Sequence, residues 1–451
     1  MFGHRFWGFV VAVALVVAVL PARVVVQTPS PTPALDPANP VFDDTVLHEV
    51  RLAINPRDWQ TLLTHYLEDT YYTADFRWRD QVVRNIGIRS RGKGSRSGVK
   101  PGIRVDFNRN VTGQEFLGLK SLVLRNQTQD ASNMHETLSM LFFRRMGLPA
   151  EREAFTKLYI NNEYAGLYSI VEAVDKDFLK KRFDEDGGWL YKYEYEPGDK
   201  NYYLDYRGSN GDLYVPSPFK PETNDTDPQQ NVIAELIRMI NQDSDNTFQQ
   251  RIASYLDVEK FIKYIALEIF LGDDDDFNGN WGANNFFWYR FHHNTVFTFI
   301  LWDKSNAFND GFTYPIFHNI YDQPPERVNH LTARVLKFDE WKSKFLDTLL
   351  VYANALSDST SVPTPLPPGT LRPAPDPTPT PTPTPNPADP RGWMERELER
   401  EYALIKDAVY ADPSREKFTN ADFEREVENL RNFARQRGDF VKNEVARTRG
   451  Q

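Results

Sequence analysis

Residues 272–308, GDDDDFNGNWGANNFFWYRFHHNTVFTFILWDKSNAF, set the strongest constraint on this chain. Four consecutive aspartates open the stretch, a pair of asparagines follows, and two apolar runs flank a polar turn at 292–295. The runs 286–291 and 296–302 are aromatic and β-branched, as strands are, and the tetrapeptide between them suits a hairpin loop. A hairpin brings its outer ends together, which predicts Asp275, Asp276 and Asn285 at one mouth beside Asp303. Hard oxygen ligands gathered at a strand mouth suit Mg²⁺, Mn²⁺ or Ca²⁺.

The same parts in the same order make up a protein-kinase catalytic centre. There a loop Asp accepts the hydroxyl proton, while an Asn and a later Asp hold the metals that bridge the phosphates. Neither an HRD nor a DFG tripeptide accompanies them. Calcium is the rival: Asp274, Asp276, Asn278 and Gly279 fit positions one, three, five and six of an EF-hand loop. Position twelve, which needs a bidentate Glu, is Asn285, and a strand follows instead of a helix, so only an irregular Ca²⁺ site survives. His292 and His293 are adjacent in a turn and read as solvent-exposed.

At 451 residues, with 40% hydrophobic and 14% aromatic side chains, the chain is long and apolar enough for a globular protein of two or three domains. Its net charge of −10 argues against nucleic acid as a partner. The absence of cysteine excludes disulfides, thiol catalysis, zinc–thiolate sites and a lipoprotein anchor. Residues 1–26 read as an export signal, since His4 and Arg5 precede the apolar run 6–20, which is short for a membrane span. Pro21, Ala22 and Arg23 make a poor cleavage site, so an uncleaved amino-terminal anchor is the alternative and the only membrane contact expected. A secreted or cell-surface location follows. Residues 27–42 are a proline-rich spacer.

Beyond the spacer, 46–54 reads as a strand, 56–66 as a helix and 75–104 as strands divided by a basic, glycine-rich loop. Arg89, Arg91, Lys93, Arg96, Lys100 and Arg104 crowd that region, and backbone amides with such cations can cradle an anion. Strands at 119–125, 155–160 and 164–171 surround a helix at 132–146, and 172–183 reads as a charged helix. Residues 200–230 look like an insertion. Asp257 is placed to cap a buried helix that delivers the chain to the acidic loop. Helices are expected at 329–336, 338–356 and 391–445, interrupted by the Thr/Pro tract at 362–390, a stiff exposed excursion.

Several runs carry a family resemblance: GIRSRGKGSRSGVKPGIRVDF, LKSLVLRNQTQDASNMHETLSMLFFRRMGLPA, LYINNEYAGLYSIVEAVDKDFLKKRF, DDFNGNWGANNFFWYRF and ILWDKSNAF. The chain resembles the CotH kinase family of atypical secreted protein kinases over roughly residues 46–350. The resemblance implies an α+β, two-lobed, protein-kinase-like fold over 43–361, with a β-rich N-lobe to about 185 and a mainly helical C-lobe that 391–451 completes. It implies ATP and Mg²⁺ or Mn²⁺ as cofactors and a Ser/Thr hydroxyl of a surface or coat protein as acceptor. Asp275 becomes the catalytic aspartate, with Asp274 and Asp276 as alternatives. Asn285, with Asn284 as alternative, and Asp303 become metal ligands. Arg91, Lys93, Lys100 and Arg104 become phosphate contacts, and Glu172 falls at the nucleotide-facing hinge. Asn309 stands where the family commonly has glycine. The same fold without catalysis, holding structural Ca²⁺, is the other reading.

Overall fold

In the computed structural model, residues 36–194, 201–321, 327–359, 390–415 and 417–450 are described, with Met1 and Gly3. The expected export signal, most of the spacer and nearly all of the Thr/Pro tract lie outside the described residues. Among the described residues no helix is long and apolar enough to cross a membrane.

Alternating burial builds the first half of the chain into a barrel. In β1 (His48–Ile54), Val50, Leu52 and Ile54 face inward. The strands β2 (Tyr72–Trp78), β3 (Gln81–Arg91), β4 (Gly102–Asp106), β5 (Ser121–Arg125), β6 (Glu153–Ile160) and β7 (Glu163–Glu172) follow it. They close in the order β1-β2-β3-β4-β5-β7-β6, antiparallel throughout except where β1 meets β6. Closure leaves no unpaired edge, and Phe76, Phe107 and Phe116 pack edge-on inside. Asn161 and Asn162 both take positive φ at the β6–β7 turn, a conformation that asparagine tolerates. Helix α1 (Pro56–Thr64) follows β1, and α2 (His135–Arg145) lies between β5 and β6.

Two of the boundaries that differ from the sequence reading have a clear physical cause. The spacer ends sooner than expected, because Val41 and Phe42 are buried against the barrel core and Asp36 pairs with Arg152 and Lys181. The charged helix begins later. Pairing with β5 keeps the chain extended through Glu172, and α3 (Lys176–Phe183) starts only where the Asp175 carboxylate caps the amides of Asp177 and Phe178.

A second sheet follows, ordered β11-β10-β8-β9 from β8 (Trp189–Tyr193), β9 (Phe219–Pro221), β10 (Phe286–Arg290) and β11 (Phe297–Leu301). Strands β10 and β11 are the expected hairpin, whereas β9 comes from the stretch that reads as an insertion. Both faces of this sheet are covered, which explains its unbroken apolar runs. Phe287, Tyr289, Ile300 and Trp302 pack with Val123 and Val171 on the outside of the barrel. Phe286, Trp288, Phe297 and Phe299 belong to the helical core with α6 (Val258–Leu271), which Asp257 caps and Gly272 ends at φ +65°. Helices α4 (Gln230–Gln242), α5 (Asp245–Arg251), α7 (His330–Leu336), α8 (Asp339–Ser357), α9 (Trp393–Tyr410) and α10 (Asn420–Arg449) complete that core.

One buried ion network fixes the end of β7. Glu172 takes Arg152 at 2.6 Å and Arg182 at 2.8 Å. Burial opposes its ionisation, yet the two guanidiniums lower its pKa from 4.5 to about 2. A depressed carboxyl pKa gives stability that is present above the ordinary value and is lost as pH falls toward the folded one. Glu172→Gln is therefore expected to cost about 3 kcal/mol near neutrality, measured by urea unfolding. The gap to wild type should narrow between pH 4.5 and about 2, and a gap constant across that window would contradict the assignment.

Candidate active site

The acidic loop sorts its four aspartates by their surroundings. Buried Lys304 pairs with Glu268 of α6 at 2.8 Å and with Asp273 at 3.2 Å. Asp273 Oδ1 accepts from the Asp275 amide at 3.0 Å, which orients the next turn. Asp276 is buried and caps the Asn278 amide, and burial with the charges of Glu268 and Asp273 pushes its carboxyl well above the usual range. Burial and the charges of Asp273 and Asp310 raise half-buried Asp274 to about 7.

Asp275 alone offers its carboxylate to the hairpin mouth. Oδ1 accepts from Asn284 Nδ2 at 3.0 Å, and Oδ2 accepts from Asn285 at 3.2 Å and Asn306 at 3.1 Å. Asn285 also donates to the Asp275 carbonyl at 2.8 Å. Burial raises Asp275 to about 6 against the Asn284 hydrogen bond, with Asp273 and Asp303 adding to the rise.

The Trp302 amide donates to Asn285 O at 3.2 Å, so the outer ends of the hairpin meet as the sequence predicts. Asp303 follows at φ +52°, a conformation that Asp and Asn tolerate better than most residues. Its Oδ1 forms an ion pair with Arg125 Nη1 at 2.6 Å and accepts from Ser305 Oγ at 3.0 Å. The side chain is 22% exposed, and among the described residues nothing donates to Oδ2. Burial would raise its pKa, but Arg125 and Arg91 more than reverse this and keep it ionised.

Arg125 leaves the end of β5 on the outer face of the barrel and forms an ion pair with Glu136, in the first turn of α2, its Nε 2.7 Å from Oε2. Its guanidinium and that of Arg91 lie 5.2 and 5.3 Å from the centre of the Trp302 ring. Burial and the neighbouring Arg125 lower Arg91 to about 10, so it keeps its charge at neutral pH. Half-buried Arg104 pairs in register with Arg89 and Val123 and so shares that face. Lys93 stands in the β3–β4 loop, near Glu194, whose carboxyl burial would raise but Lys192, Lys220 and Lys93 lower.

Two expected nucleotide contacts are committed elsewhere. Lys100 is buried, with Nζ 2.6 Å from Asp412 Oδ2 in the α9–α10 connection. The Glu172 carboxylate is taken by Arg152 and Arg182. Both look like ligands in the sequence, which does not reveal which cation or carboxylate finds an internal partner. Conversely, sequence reasoning passes over Arg125, Glu136, Asn306 and Lys304. The available signal was a cation closing the apolar strand SLVLR with a Glu in the first turn of the next helix.

Among the described residues no three His, Cys, Asp or Glu side chains are grouped to hold a metal by themselves. Barrel, sandwiched hairpin and acidic mouth define an α+β protein whose candidate site opens between the outer barrel face and the second sheet. The chain belongs to the CotH family, since the family model described as CotH kinase protein matches residues 88–360. It is also similar to inner spore coat protein H of Bacillus subtilis (strain 168), with 24% identity over 298 residues that cover 65% of this chain and 78% of that relative. The matched family region contains Arg91, Arg125, Glu136, Asp275, Asn285 and Asp303.

Proposed function

We propose that the chain is a metal-dependent kinase that transfers the ATP γ-phosphoryl group to a Ser or Thr hydroxyl of a surface or coat protein. One observation carries the reading: Glu136, Arg125 and Asp303 form a continuous ion chain that ends beside Asp275 and Asn285. The order of parts parallels a protein kinase: glycine-rich loop, strand cation, helix Glu, loop Asp and Asn, hairpin and metal-holding Asp. Arginine takes the strand position where those enzymes carry lysine. On this reading the barrel is one lobe and the helical remainder the other.

The donor set fits the implied ion. The Asp303 carboxylate and the Asn285 amide offer hard oxygens, and among the described residues nothing donates to Asp303 Oδ2. One carboxylate with an amide oxygen suits Mg²⁺ or Mn²⁺, which is commonly held by one or two carboxylates together with substrate phosphates. Asn285 and Asp303 would hold the ion, which would neutralise charge on the transferring group. Asp275 accepts the acceptor hydroxyl proton, and a pKa near 6 keeps it ionised at neutral pH while leaving it basic enough for the task. Arg91, Arg104 and Arg125 neutralise phosphate charge from the barrel side, and Glu136 holds Arg125 in place. The name of the Bacillus relative supports an acceptor in a coat or at a surface.

Thermal melts of the chain with Mg–ATP, Mn–ATP, Ca²⁺ alone and no ligand test this reading. Ligand at a hundredfold its dissociation constant should add about 2.7 kcal/mol of stability, a shift of several degrees. The shift should need nucleotide and metal together and vanish in Asp303→Asn. Stabilisation by Ca²⁺ alone, with none from ATP, would sink the kinase reading in favour of a calcium-holding module of the same fold.

A further inference from the structure

The C-terminal helices lie outside the family-matched region, yet they grip the residues that build the site. Asp412, between α9 and α10, takes Lys100 Nζ at 2.6 Å and the Leu167 amide at 2.9 Å. Its carboxylate lies so close to β7 that a Cβ on Gly166, whose φ is +130°, would sit 2.5 Å from Oδ1. Tyr164 OH donates to Ala408 O at 2.9 Å. Thus Tyr164 and Gly166, in the EYAGLY run that carries the family resemblance, both meet this C-terminal segment.

A second junction lies nearer the chemistry. His135, buried in the first turn of α2, meets Ser305 O through Nδ1 at 3.1 Å and Glu426 Oε1 of α10 through Nε2 at 3.2 Å. Both partners are acceptors, so both ring nitrogens donate, which requires the imidazolium. Burial would lower its pKa, but Asp130, 3.5 Å away, and Glu426 raise it. The ring packs edge-on against Phe308, which packs against Phe433 of α10. Asn429 holds the other oxygen of Glu426 at 2.9 Å. His135 thereby ties three elements together: α2, the 303–308 loop and α10. Its chain neighbour Glu136 holds Arg125, and its partner Ser305 bonds Asp303.

We propose that Glu426 is a positioning residue for the phosphotransfer proposed above, on which this inference rests. Acting through His135, it fixes α2 against the 303–308 loop so that Arg125 can meet Glu136 and Asp303 at once. The C-terminal segment is then a built-in support of the site, and the reach of the family-matched region understates the catalytic unit.

The test compares the full chain with Glu426→Ala and Glu426→Gln. In Glu426→Ala, kcat should fall about tenfold, the loss typical when a side chain that orients a ligand residue is removed, with KM for the nucleotide near wild type. Glu426→Gln should recover most of it, because its amide oxygen still accepts from His135. Hydrogen exchange supplies a readout independent of activity: amides of 134–146 and 303–308 should exchange faster in Glu426→Ala, while those of β1 and β2 do not change. Unchanged protection in α2 and the loop, or an even loss across the barrel, would overturn the proposal. If the wild-type chain transfers no phosphoryl group, the kinase reading fails, and the exchange comparison alone supports or overturns the positioning.

Discussion

Asp303→Asn is expected to leave the chain folded and to lower kcat/KM for phosphotransfer by about a thousandfold, the scale of removing one preorganised electrostatic group from such a site. Asparagine is the informative substitution, because residue 303 sits at φ +52° and Asn accepts that conformation where alanine would be strained. Its amide oxygen can still accept the hydrogen bond that Ser305 makes to Oδ1 and stay close to the Arg125 guanidinium. What disappears is the negative charge, which the two nearby guanidiniums keep in place at neutral pH. Arg125 remains paired with Glu136, so the loss of stability should stay near 1 kcal/mol. Initial rates with labelled ATP and a urea melt on the same preparation separate the two effects. Activity within tenfold of wild type would remove Asp303 from the metal site.

The hairpin and its mouth were legible because local rules and tertiary packing agree there. Aromatic runs around a polar turn could form little else, and Trp302 joins Asn285 as that geometry requires. The helix before the acidic loop was legible for the same reason, with Asp257 and Gly272 marking its ends. What the sequence hid was partnership at long range. Lys100 looks like its basic neighbours Arg91 and Arg104, and only folding brings Asp412 to it across 312 positions. Arg125 reads as an ordinary strand end until α2 sets Glu136 beside it. The aspartate run has no local signal that tells four identical side chains apart, and their sorting depends on Lys304 and on three asparagines.

That sorting gives the second large effect: Lys304→Met is expected to destabilise the chain by about 3–5 kcal/mol, the cost of leaving buried charge uncompensated. Glu268, Asp273 and Asp276 are all buried, and Lys304 is the cation that faces them, with its own pKa held above the ordinary value by those carboxylates against the effect of burial. Methionine fills similar volume, so packing loss is small and the change is mainly electrostatic. Without the ammonium, Glu268 and Asp276, whose carboxyls burial already pushes up, must bind protons in the folded state at a pH where the unfolded chain has released them. Stability then rises as pH falls, because the folded form takes up more protons. The deficit against wild type should therefore be largest in mildly alkaline buffer and shrink toward acid. Adding Glu268→Gln to Lys304→Met removes one of the uncompensated charges and should restore part of the loss. The same variant frees Asp273, which orients the Asp275 amide, so transfer activity should fall even where the chain remains folded. Urea unfolding across pH decides the matter. A deficit below about 1 kcal/mol, the scale of an exposed pair, or one that does not change with pH, would mean that the acidic loop is held by packing and not by Lys304.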